Sequence, residues 1–133
     1  MKTSLMALFI LEILFFVGSM LSIFVFKISR RALILFSPLV ATGVLGVILS
    51  VLTIQYQVTG ALRLFLLLAG AAPGAMFISI LLHNFISGAI VKITGKDFEE
   101  AVFFIIAIFG CPAAFIFGTV GTIVFMVKNV IVR

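Results

Sequence analysis

Four residues carry chemistry into an otherwise apolar chain: Glu12, His83, Asn84 and Cys111. Glu12 interrupts the run from Leu5 to Phe26, and His83 and Asn84 interrupt the run from Leu64 to Val91. An ionisable group inside such a run is costly, and its default meaning is a functional site. A carboxyl and an imidazole at similar depth could share or pass a proton, so Glu12, His83 and Asn84 form a candidate proton or solute site. The bland reading of Glu12 is a carboxyl bonded to a Ser, a Thr or a backbone carbonyl, or a side chain leaning toward Lys2 or Arg63. Ser79, His83 and Ser87 recur at four-residue spacing, which puts them on one helix face. A stripe of that kind serves as hydrogen-bonding glue between helices or lines a path. Cys111 raises a Cys–His nucleophile or a Glu–His–Cys metal site. Both need further groups that orient the ligands, and no such motif is present. A free buried Cys more often behaves as a small hydrophobe. No phosphate-binding loop, dinucleotide glycines, paired metal motif or paired carboxylates occur. The chain is therefore not expected to be an enzyme, and no metal or cofactor is expected.

The elements that position these residues follow from composition. Of 133 residues, 65% are hydrophobic and 10% are charged. A soluble domain has about 45–50% apolar residues, and this chain cannot build a polar shell. Lipid tolerates that surface, provided the backbone satisfies its own hydrogen bonds in helices or a closed barrel. A barrel would alternate polar and apolar residues over about ten positions. The long continuous runs here specify helices instead. A span needs about 20 apolar residues. Four helices are predicted, at about 5–26, 32–54, 61–91 and 98–127, in one transmembrane domain covering 1–133. The tail Gln55-Tyr56-Gln57-Val58-Thr59-Gly60 separates the second helix from the third. The first run exceeds the roughly 7–15 residues of a signal-peptide core and contains Glu12, so a retained helix is expected. Short connections force antiparallel neighbours. The expected fold is an all-α integral membrane protein, an up-down-up-down bundle of four transmembrane helices.

Local signals refine the helices. Asp97 and Glu100 have capping-box spacing, which predicts a start at Phe98, with Glu99 and Glu100 favoured by the helix dipole. Ser37-Pro38 reads as an N-cap followed by the first helical residue, so the second helix should become regular there. Pro73 and Pro112 lie inside spans. Each removes one donor and crowds the carbonyl four residues earlier, predicting kinks in the third and fourth helices. Gly110, Ala114, Gly118 and Thr122 recur every four residues, a small-residue face for bundle packing or for an oligomer. Gly70 and Gly74, Gly46 and Ser50, and Gly18 and Ser22 repeat the spacing. Glu12 lies about 10 Å past Leu5, and His83 about 12 Å before Val91. In a core of about 30 Å they would differ in depth by about 8 Å, close enough for a tilt or the Pro73 bend to join them. Cys111, ten residues past Ala101, should match His83 in depth.

The net charge is +5, from nine Lys and Arg against four Asp and Glu. The basic residues flank the apolar runs, which points to headgroup anchoring and not to nucleic acid. Lys2, Arg63, Lys128 and Arg133 fall on one side, and Lys27, Arg30, Arg31, Lys92 and Lys96 on the other. The bias is almost balanced. Around the first helix it favours the Lys27–Arg31 loop inside the cell and both termini outside. Glu12 in the first of four helices of a short, balanced chain resembles the small multidrug-resistance transporters. That resemblance implies proton exchange at Glu12 for cationic substrates in an antiparallel dimer. It covers only Glu12 and the architecture, because the chain has no Trp and its single Tyr56 lies in a loop. Fluoride channels share the size and helix count, without their Thr- and Ser-rich break in the third helix. Neither family is assigned. Two functions remain: a structural, accessory or partner-binding subunit of the cell membrane, and a proton-coupled transporter or channel acting as an oligomer. The lipid bilayer is the expected partner of both, with a homo-oligomer or a membrane protein beside it.

Overall fold

In the computed structural model the described residues are 3–24, 32–96, 98 and 100–131. They form α1 (Thr3–Phe24), α2 (Ala32–Gln55), α3 (Gly60–Thr94), α4 (Val102–Ile105), a π-helical turn (Ile106–Gly110) and α5 (Cys111–Ile131). The last three run on without a break and make one fourth helix. Four segments are long and apolar enough to cross a membrane: Thr3–Ser22, Pro38–Gln55, Gly60–Thr94 and Val102–Lys128. The fold is the expected all-helical bundle of four helices, with no strand among the described residues.

Neighbouring helices run antiparallel. Early residues of α1 meet late residues of α2, with Ser4 Oγ 3.4 Å from the Tyr56 hydroxyl. Further on, Ser19 Oγ lies 3.4 Å from Thr42 Oγ1. Gly46 of α2 crosses Gly70 of α3, and Gly43 crosses Gly74. On the other side of α3, Phe65 and Ala69 meet Gly118 of α5. α3 is thus the central helix, flanked by α2 and by the fourth helix, while α1 packs on α2. The chain turns between α2 and α3 through positive φ at Gln57 (51°) and Gly60 (68°). α3 ends at Gly95, whose φ of 66° lets its N–H reach the Val91 carbonyl.

α1 and α2 each bury a narrow seam at alternating three- and four-residue spacing. On α1 the seam is Leu5, Phe9, Glu12, Phe16 and Ser19; on α2 it is Leu39, Thr42, Gly46, Leu49 and Thr53. That period is the one that keeps a stripe facing a neighbour in left-handed helix packing. The core accordingly divides into two apolar clusters. Leu5, Phe9, Leu49, Leu66 and Ala69 fill one end. Phe16, Leu39, Ala72, Met76, Ala107, Cys111 and Phe115 fill the other, with the rings of Phe16 and Phe115 stacked at 3.9 Å. Between 22% and 39% of each spanning window is buried.

Three local readings depart from expectation. α2 starts at Ala32, as its apolar run predicted, but Pro38 lies inside it and does not begin a regular stretch after a Ser37 cap. The helix has room for this because a proline in the second turn costs one intrahelical bond, whose acceptor lies near the helix start. The fourth helix begins at Val102, not at Phe98. Glu100 explains the shift: its carboxylate accepts from the N–H groups of Val102 (2.6 Å) and Phe103 (2.9 Å), capping from outside the helix. The expected Asp97 cap and Glu99, like the Lys27–Arg31 loop, Lys2 and Arg133, lie outside the described residues. α3 spans 35 residues, about 52 Å at 1.5 Å per residue, well beyond the roughly 30 Å of a hydrocarbon core. It passes Pro73 as one uninterrupted α-helix. At Pro112 the helix changes type instead. Pro112 offers no N–H to the Ile108 carbonyl, and the preceding Cys111 N–H bonds Ile106, five residues back.

Candidate functional site

The polar residues of the spans occupy two separate places. The first is Glu12. Its seam position puts it between Phe9 and Phe16, one from each apolar cluster, with no accessible surface. Glycines make room for it. A Cβ added at Gly46 would stand 2.6 Å from Glu12 Oε1 and 3.1 Å from the Gly70 carbonyl carbon, against that carbonyl's oxygen. A Cβ at Gly70 would stand 2.5 Å from Ser50 Oγ and 2.6 Å from the Gly46 carbonyl oxygen. The two backbones thus touch at the Gly46–Gly70 crossing, and the carboxyl of Glu12 closes the crossing from the α1 side.

Four other buried hydroxyls are satisfied locally. Ser19, Thr42, Thr53 and Thr122 each donate to the carbonyl one turn earlier, at Phe15, Pro38, Leu49 and Gly118, over 2.7–2.8 Å. Back-bonding of this kind lets a hydroxyl sit in an apolar environment without a partner helix. A Glu side chain is too long to do the same. Both Glu12 oxygens, Ser50 Oγ and Thr119 Oγ1 are buried without a hydrogen bond. Sequence reading found Glu12 but gave no polar role to Ser50, whose hydroxyl lies at the same crossing. Its four-residue spacing from Gly46 was the available signal.

The second place is the end of α3 next to the start of the fourth helix. His83 Nδ1 lies 2.6 Å from the backbone carbonyl of Glu100 and 3.7 Å from its carboxylate Oε2. The Glu100 N–H donates to Ser87 Oγ at 2.9 Å. The His83 ring meets Phe104 at 5.3 Å between centroids. The chain before Val102 is therefore tied to α3 by one His, one Ser and one Glu. Asn84 faces outward and donates to the Ile80 carbonyl at 2.8 Å. A cavity of about 300 Å³ lies beside His83 and Asn84, walled by Met76, Ile80, Phe104 and Ile108, with Ala107 at its base.

These two places do not meet. Glu12 is level with Gly70, and His83 lies thirteen residues further along α3, about 20 Å by helical rise. The expected match in depth took Val91 as the end of the membrane span. α3 overshoots that boundary, and His83 stands level with Glu100, just outside the fourth helix. Cys111 does not join His83 either. It packs among Ala72, Met76, Ala107 and Phe115 as a small hydrophobe. Among the described residues, no three His, Cys, Asp or Glu side chains group as a metal site.

The small-residue face of the fourth helix divides. Gly118 touches the α3 backbone, where a Cβ would stand 2.5 Å from the Ala69 nitrogen and 2.8 Å from the Phe65 oxygen. Thr122 is buried with it. Ala114 is half-buried against the apolar cluster. Gly110 is exposed, and a Cβ added there would have only the Ile106 side chain near it, at 4.0 Å. Comparison with known protein families, curated proteins and solved structures finds no match to this chain.

Proposed function

We propose that this chain is a structural or accessory subunit of the cell membrane, with both termini outside, that works by packing against other membrane helices. The observation that carries the reading is where its polar groups are spent. Glu12 closes the Gly46–Gly70 crossing inside the protomer, and His83 ties the Glu100 segment to α3. Glu12 is packed within the bundle and His83 is hydrogen-bonded within it, and the two do not share a cavity. Broad apolar faces are left outward, including the groove between α1 and α5 beside the stacked Phe16 and Phe115. Helices in lipid associate by van der Waals packing, for which such surfaces suffice. The partner is a second copy or another membrane protein.

The test is assembly size. Extracted in a mild detergent, the chain should run as a complex larger than its 14.4 kDa protomer. Glu12→Gln and His83→Ala should leave that complex intact. A chain that leaves its own membrane in mild detergent strictly as a monomer, with no other protein bound, overturns the proposal.

A second reading, proton-coupled transport or a channel in an oligomer, draws on one specific observation: the Glu12 carboxyl is buried without a hydrogen-bonding partner. Buried ionisable groups in spans are commonly functional. On this reading Glu12 acts without His83, with Ser50 as the polar group nearest to the same crossing.

A further inference from the structure

We propose that the cavity at His83 is a binding site for a neutral lipid with a hydroxyl headgroup. The argument begins with the polar end of the cavity. The Glu100 backbone carbonyl can only accept, so the His83 Nδ1 at 2.6 Å carries the proton. The other ring nitrogen, Nε2, is left for a ligand. Asn84 already spends one N–H on the Ile80 carbonyl, which leaves its side-chain oxygen to accept. A hydroxyl both donates and accepts, so it can satisfy the polar groups at this end of the cavity.

Charge narrows the ligand further. The Glu100 carboxylate lies 3.7 Å from His83 Nδ1 and is already held by the Val102 and Phe103 N–H groups. A phosphate headgroup placed here would face that carboxylate, and like charges repel. A neutral polyol head meets no such cost.

The shape fits a lipid. His83 and Asn84 stand at the level of Glu100, where the fourth helix begins, and the walls at Met76, Ile80, Phe104 and Ile108 continue along both helices into their apolar stretches. The cavity is thus polar at the boundary and apolar toward the interior, the orientation a lipid has in its leaflet. Its volume of about 300 Å³ takes a head and the first part of one chain, at the low end of ligand pockets. The π-helical turn at Ile106–Gly110 forms one wall, and such turns are frequent at functional sites.

The experiment uses the full chain in phosphatidylcholine nanodiscs. The probe is a monoacylglycerol carrying a photoreactive diazirine near its headgroup. Labelling should be saturable and should map to peptides containing Met76–Asn84 and Phe104–Ile108. A probe with both glycerol hydroxyls methylated, and an anionic probe with a phosphate head, should each label at least tenfold less. His83→Phe, which keeps a ring and removes the Nε2 hydrogen bond, should weaken competition by unlabelled monoacylglycerol about tenfold, the worth of one hydrogen bond. If His83→Phe fails to fold, Asn84→Leu at an exposed position provides the same comparison, with an expected loss of several-fold. Equal labelling by the methylated probe, stronger labelling by the phosphate probe, or labelling that does not saturate overturns the proposal.

Discussion

Replacing Gly46 with Ala tests the Gly46–Gly70 crossing through a single methyl group. Two effects oppose each other. Ala is a better helix former than Gly by about 0.8–1.0 kcal/mol. Against this, the new Cβ would stand 3.1 Å from the Gly70 carbonyl carbon and closer still to its oxygen. Non-bonded carbon atoms prefer about 3.5–4.0 Å, so α2 and α3 must separate by something on the order of 1 Å. A gap of that size forfeits about a quarter to a half of each contact along the seam, and overpacking typically costs about 1–3 kcal/mol. The backbone of α3 cannot yield locally, so the upper part of that range applies. The net expectation is a loss of about 2 kcal/mol. Gly18→Ala is the control, because a Cβ there has no atom within 4 Å. It should be neutral or stabilising by up to about 1 kcal/mol. Unfolding in a titration from mild detergent to dodecyl sulfate, followed by circular dichroism, reads the difference. Adding Glu12→Ala to Gly46→Ala should rescue only part of the loss, since it removes the carboxyl contact and leaves the Gly70 carbonyl in place. A Gly46→Ala chain as stable as Gly18→Ala would refute the reasoning.

Three further outcomes follow from the same geometry. Gly118→Ala places a methyl group against the Ala69 and Phe65 backbone and should cost about 1–3 kcal/mol. Gly110→Ala, on the exposed side, should cost nothing in the same titration, and equal effects at the two positions would argue against the assignment of faces. Glu12→Leu exchanges an unpartnered buried carboxyl for an apolar chain of similar size and should raise stability by about 1–3 kcal/mol; a marked loss would mean that the carboxyl has a partner. Glu100→Ala removes the acceptor of the Val102 and Phe103 N–H groups and should cost about 0.5–2 kcal/mol. Hydrogen exchange should accelerate at those two amides and not in α5, and uniform acceleration would place the effect elsewhere.

The sequence made the four helices legible because unbroken apolar runs have no other stable form in lipid. Gln57 and Gly60, in a polar stretch, marked the turn between α2 and α3, where positive φ is required. Glu12 stood out by its charge alone. Its surroundings did not, because they depend on which face of α2 and α3 meets α1, and an evenly apolar helix carries little directional signal. The seam at three- and four-residue spacing was present in Phe9, Glu12, Phe16 and Ser19, masked by equally apolar outward positions such as Leu14 and Val17. His83 was misplaced for a related reason. Hydropathy cannot tell a spanning stretch from a helix longer than the span, and α3, at 35 residues, is longer than a hydrocarbon core. Pro112 signalled a disturbance. That it takes the form of a π turn depends on how Cys111 and Ala107 pack against α3, which no local rule supplies.

The central claim is that Glu12 fills the Gly46–Gly70 crossing and does not carry protons or solute across the bundle. The direct measurement is proton flux in sealed liposomes containing the purified chain, with a pH-sensitive dye inside and an imposed membrane potential. The account predicts the same flux for the unmodified chain, for Glu12→Gln and for protein-free liposomes. A flux above the protein-free level that Glu12→Gln abolishes, in a variant that still assembles, would contradict it.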